Sequence, residues 1–84
     1  MKRLQELLKE KRIESGFTQE SLGEAMGYSS GQFISRWERG DVSPPLESLD
    51  LLCGLIGAKK YDVLTLMVET YKNRLQSYLW PSTY

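Results

Sequence analysis

Between Gln32 and Arg39 the chain carries a glutamine, a serine and two arginines at a spacing that gathers them on one side of a helix. At 100° per residue, Gln32, Arg36 and Arg39 share a strip with Ser35 near its edge, while Ile34, Trp37 and Glu38 turn the other way. Gln32 and Arg36 stand four apart, so their side chains reach along the same line. The chemistry open to such a strip is hydrogen-bond recognition of flat polar edges. An amide can pair bidentately with adenine, and a guanidinium with guanine. Phe33 lies at the boundary, placed either to touch a thymine methyl or to finish the core. Any short polar helix face can also be plainly solvated, so the elements around this one decide its meaning.

Those elements run from Phe17 to Gly40, FTQESLGEAMGYSSGQFISRWERG. Thr18 is a good N-cap, because its hydroxyl can accept an orphan N–H of the first helical turn. Leu22, Ala25 and Met26 then fall at helical spacing and give an apolar face to a helix over about Thr18 to Met26. Gly27 supplies the positive φ that commonly ends a helix, and Ser29 or Ser30 offers the next N-cap. The following helix spans roughly Ser30 to Arg39, buries Ile34 and Trp37, and closes at Gly40. Two short helices with a glycine-containing turn are the sequence form of a helix-turn-helix unit. Gly23 costs about 1 kcal/mol against alanine inside a helix, which close approach of the next helix would explain.

Thr18-Gln19, Leu22, Gly27, ISRWERG at 34–40 and PPLESL at 44–49 occur in this order. Together they resemble the phage repressor and Cro family of DNA-binding domains over roughly Leu4 to Leu64. Two departures stand out: Gly23 replaces the alanine usual in that family, and GYSSGQFIS has one residue more in the turn than most members. The resemblance implies an all-α, five-helix repressor-like DNA-binding domain with a helix-turn-helix core. It also implies DNA contacts from Gln19, Ser30, Gly31, Gln32, Ser35, Arg36 and Arg39. Gln19 would meet the DNA backbone and brace a side chain of the next helix. Its first-turn position suits a phosphate, since free N–H groups and the positive dipole end lie there.

The flanks complete the fold. Leu4 to about Ser15 reads as the first helix, with Leu4, Leu8 and Leu7 toward the core. Gly16 ends it, and Phe17 drops into the core. Arg12 follows Leu8 by four and lies on or beside the buried face. It is either solvated or paired, and a buried arginine needs a partner. The resemblance points to Glu38, in a structural ion pair. Asp41 to Ser43 form a loop. Pro44-Pro45 starts a fourth helix buried at Leu46, Leu49, Leu52 and Ile56, and Gly57 ends it. Cys53 is read as a small, inert core residue.

The last helix spans about Lys60 to Leu79. Tyr61, Leu64, Val68, Tyr71, Leu75 and Tyr78 repeat at threes and fours, a sustained apolar seam, with Val63, Met67 and Leu79 beside it. A five-helix domain needs this helix only as far as about Val68. The surplus, Tyr71, Leu75, Tyr78, Leu79 and Trp80, is expected to form a dimer interface. The alternative is that the helix folds back over its own core. Trp80-Pro81 marks the expected stop.

The whole chain bounds these readings. Its 84 residues make one domain, with 40% hydrophobic and 26% charged residues, as in ordinary globular proteins. The basic N-terminus has no apolar core of a signal peptide, and no run approaches bilayer length, so no membrane is expected as a partner. The single cysteine excludes an intramolecular disulfide framework and fits a cytoplasmic location. There is no histidine, metal-ligand cluster, glycine-rich phosphate loop or activated nucleophile, so neither an enzyme nor a cofactor is expected, and no small-molecule ligand is evident. The net charge is zero, which is unusual for a DNA binder and leaves much phosphate contact to backbone amides and polar side chains.

Two functions follow. The first is sequence-specific binding of double-stranded DNA and transcriptional regulation, as repression by a homodimer on a palindromic operator. The second is a protein-interaction module of the same fold, antitoxin-like, that binds a partner through the aromatic C-terminal helix. The balanced charge favours the second, and the polar strip of Gln32, Ser35, Arg36 and Arg39 favours the first.

Overall fold

The computed structural model describes residues 2–79. They form five helices: α1 (Leu4–Glu14), α2 (Gln19–Ala25), α3 (Gln32–Arg39), α4 (Leu49–Ile56) and α5 (Lys60–Leu79). A short 3-10 turn, Leu46–Ser48, leads into α4, and there is no strand among the described residues. The architecture is therefore all-α. Helix α3 packs on α1 and α2, while α5 lies against α1 and α4.

Local chemistry sets the helix starts. Thr18 caps α2 with a full reciprocal box. Its hydroxyl accepts the Ser21 N–H at 2.9 Å, and the Ser21 hydroxyl oxygen accepts the Thr18 N–H at 2.9 Å. Helix α3 begins two residues later than the spacing suggests, at Gln32, with Gly31 as its N-cap. Ser30 does not cap through that position. Its hydroxyl oxygen accepts the Gln32 N–H at 3.3 Å.

Leu4, Leu8, Leu22, Ile34, Trp37, Leu49, Leu52, Cys53, Ile56 and Val63 form one buried cluster, with Leu7, Phe17 and Met26 partly buried against it. Burial pushes the Cys53 thiol pKa up, which favours the neutral, unreactive form.

Four expected core positions are corrected: Leu46, Ala25, Tyr61 and Val68. Leu46 is exposed, because Pro45 is extended (φ −61°, ψ 143°) and a 3-10 turn precedes α4, so Leu46 is not on the buried face of that helix; Pro44 is buried instead. Ala25 is exposed, and the small buried residue of α2 is Gly23. On α5 the residue sealed into the core is Val63, with Leu66 and Met67 partly buried near it, whereas Tyr61 and Val68 are exposed. At 100° per residue the stripe of Val63, Leu66 and Met67 lies roughly 110° around the helix from the Tyr61–Tyr78 seam. Helix α5 thus has two apolar stripes; the fold consumes one, and of the other only Leu64 packs partly against the core. Val68, Tyr71, Leu75, Tyr78 and Leu79 are all exposed. Trp80 lies outside the described residues.

Twenty residues of helix span ~30 Å, as long as a small domain is wide. The molecule accordingly measures 46 × 24 × 21 Å. Lys60 at the start of α5 holds Asp50 of α4 through Nζ–Oδ1 at 2.7 Å, which raises the lysine pKa. No helix among the described residues is long and apolar enough to cross a membrane.

Candidate nucleic-acid interface

The polar strip of α3 rests on a buried base. Ile34 and Trp37 fix the helix from beneath, and Trp37 meets the Tyr28 ring edge-on, centroids 6.1 Å apart. Tyr28 also packs on Phe33 at 4.8 Å. Phe33, still half exposed, therefore closes an aromatic cluster at the start of α3.

Beneath the helix, Arg12 and Glu38 are joined in a two-pronged pair. Arg12 Nε donates to Glu38 Oε2 at 2.6 Å and Nη2 to Oε1 at 3.1 Å. The third arm, Nη1, donates to the Phe17 carbonyl at 2.9 Å. Arg12 is only 8% exposed. Such burial is tolerable because charge and donors are matched on the spot. Gln19 joins the same carboxylate, with Nε2 donating to Glu38 Oε1 at 3.0 Å. Only the amide nitrogen can serve a carboxylate, so this contact fixes how the Gln19 amide points. One carboxylate thus ties α1, the start of α2 and α3 together.

The two helices of the unit approach closely at the turn. A Cβ on Gly31 would lie 2.7 Å from the Gln19 carbonyl carbon and 2.8 Å from the Glu20 nitrogen. Gly31 is a packing requirement as well as the residue before the strip.

On the outer face, Gln32 and Arg36 are exposed, and neither side chain has a partner among the described residues. Ser35 and Arg39 are engaged with each other: Arg39 Nη1 donates to Ser35 Oγ at 2.6 Å. Arg39 Nε also donates to Asp41 Oδ2 at 3.0 Å. The structure gathers Gln32, Ser35, Arg36 and Arg39 on one face, with Gln19 half buried at its edge and Ser30 and Gly31 in the turn. Asp41 was missed in the sequence. Its only signal was position, two residues beyond Arg39 across Gly40, whose φ of 80° turns the chain back toward the helix end.

Among the described residues no group of three histidine, cysteine, aspartate or glutamate side chains could hold a metal. What the site offers is donors and acceptors on a rigid, convex helix.

No curated protein matches the chain. The family model described as helix-turn-helix matches residues 8–64, which is more than half of the sequence and takes in α2, α3 and α4 whole. That span, the all-α fold and the placement of α3 agree, and the chain belongs to the helix-turn-helix family of the phage repressor and Cro type, whose members are DNA-binding transcription regulators.

Proposed function

We propose that this chain binds double-stranded DNA sequence-specifically and represses transcription as a homodimer on a palindromic operator. One observation carries the reading: Gln32 and Arg36 stand exposed, four residues apart and uncommitted among the described residues, on a helix anchored by Ile34, Trp37 and the Arg12–Glu38 pair. A rigid α-helix fits the major groove, and these two groups supply the bidentate edges that read adenine and guanine there. Ser35 and Arg39 extend the strip, and Gln19, Ser30 and Gly31 are taken as further DNA contacts beside it. Arg36 and Gln32 are the base readers; the others position the helix.

Homodimerisation rests on the second apolar stripe of α5. A single short helix reads only a few base pairs, and a twofold partner doubles the site. The same exposed stripe supports a second reading, in which α5 docks a different protein and the fold acts as an antitoxin-like module.

Selection of bound sequences from random duplex DNA tests the proposal. Enrichment of a palindromic consensus is the expected result. Absence of any enrichment would overturn it in favour of the interaction module.

A further inference from the structure

The outer face of α3 is divided. One part, Gln32 and Arg36, is open. The other is closed on itself, since Arg39 spends Nε on Asp41 and Nη1 on Ser35. The Arg39 and Asp41 side chains are 58% and 51% exposed, so the pair sits in water and opens readily. We propose that Asp41 sets the affinity of the interface by occupying, on Arg39, the place a DNA phosphate would take. This rests on the DNA-binding reading of α3.

The chemistry of the two acceptors is the same. Carboxylate and phosphate both present paired anionic oxygens, and both are gripped by the flat fork of a guanidinium. Arg39 has five N–H donors, and the one on Nε is already committed to a carboxylate oxygen. A phosphate must displace Asp41 or meet a pair that is electrically neutral. Residues 18–45 hold two arginines, Arg36 and Arg39, against four carboxylates, Glu20, Glu24, Glu38 and Asp41. With Arg39 paired, the reading helix presents Arg36 as its one uncommitted cation among the described residues. Sequence-independent binding draws on phosphate neutralisation, so it is the term Asp41 holds down. A chain of zero net charge then discriminates through base edges instead of through bulk attraction.

The test is a double-mutant cycle read against salt. The probe is a fluorescently labelled mixed-sequence duplex about two helical turns long, titrated with the full chain. Asp41→Asn keeps the shape of the side chain and removes the charge. It should tighten binding and steepen the slope of log K against log salt by about 0.9 per subunit. The affinity gain should therefore shrink about 3-fold per subunit between roughly 50 and 200 mM salt. In the Arg39→Ala background the same substitution should bring no gain, because there is no guanidinium to release. Unchanged or weakened binding by Asp41→Asn would overturn the proposal and make Asp41 a support that aims Arg39. A gain that persists in the Arg39→Ala background would also overturn it, leaving Asp41 as a general negative charge. If neither the parent protein nor Asp41→Asn retains duplex at low salt, the DNA-binding reading itself falls, and this inference with it.

Discussion

The carbonyl oxygen of Ser30 lies directly over Gly23: a Cβ on Gly23 would stand 2.2 Å from it, and 2.9 Å from the Ser30 carbonyl carbon. The obstacle is backbone, which cannot swing aside as a side-chain tip can. The turn sets the Ser30 carbonyl down on α2, and only glycine at position 23 leaves room for it.

Gly23→Ala and Gly54→Ala should consequently have opposite signs. Both residues sit inside helices, where alanine is favoured by about 1 kcal/mol. Nothing lies within 4 Å of a Cβ on Gly54, so that substitution should stabilise the protein by about 0.4–1 kcal/mol. At Gly23 the overlap should outweigh propensity and destabilise by ~1–3 kcal/mol, as overpacking does. Urea midpoints of the two variants decide the matter, and a stabilised Gly23→Ala would show that the turn yields.

The Arg12–Glu38 pair should behave as a unit. Replacing either partner alone leaves a charge in a buried site and should cost ~3–5 kcal/mol. Loss of Glu38 also removes the acceptor for Gln19, which spreads the damage to the start of α2. Replacing both by apolar residues of similar size should cost much less than the sum of the single effects. Chemical denaturation of the four proteins measures this. Additive effects below ~1 kcal/mol would describe an exposed pair instead.

Much of this scaffold is legible in the sequence because it depends on neighbours in the chain. Thr18 caps a helix whose third residue, Ser21, answers it, and Gly27, Gly40 and Gly57 stop helices where a positive φ is needed. What stays hidden depends on how elements meet. Periodicity finds an apolar stripe on α5, but that helix has two, and only contact with α1 and α4 selects Val63 over Tyr61 for the core. Leu46 matches the spacing of a buried helical residue, but the 3-10 turn before α4 takes it off that face. The Asp41–Arg39 contact requires the fold of the Gly40 turn, which spacing does not specify.

Base reading is expected to concentrate on the open part of the strip. Arg36→Ala should cost ~1–3 kcal/mol of specific binding and relax preference at one base position per half-site. Gln32→Ala should do the same at a neighbouring position. Comparing each variant across a panel of single-base operator changes separates the roles. A uniform loss on every sequence would mark the residue as a phosphate contact, and no loss at all would remove this face from the interface.

The exposed stripe of α5 carries the prediction about assembly. Val68, Tyr71, Leu75 and Tyr78 continue a repeat of threes and fours, and Leu79 flanks it; none is consumed by the core. A contiguous apolar surface of this kind is uncommon on soluble monomers. A second copy would cover it with the same surface, the commonest arrangement in small oligomers. Lys72, Asn73 and Arg74 lie off the stripe and would remain at the rim. Because Tyr71 and Leu75 are exposed, replacing both by serine should leave the helical signal and the unfolding midpoint of the subunit nearly unchanged. The association should fail, however. Sedimentation equilibrium should give about twice the 9.7 kDa chain mass for the parent protein and the single mass for the variant. Binding to a two-half-site operator, with centres ~34 Å apart or a multiple of that, should weaken and lose cooperativity in the variant. A parent protein that stays at the single mass at tens of micromolar, or a variant that dimerises as before, would refute α5 as the interface.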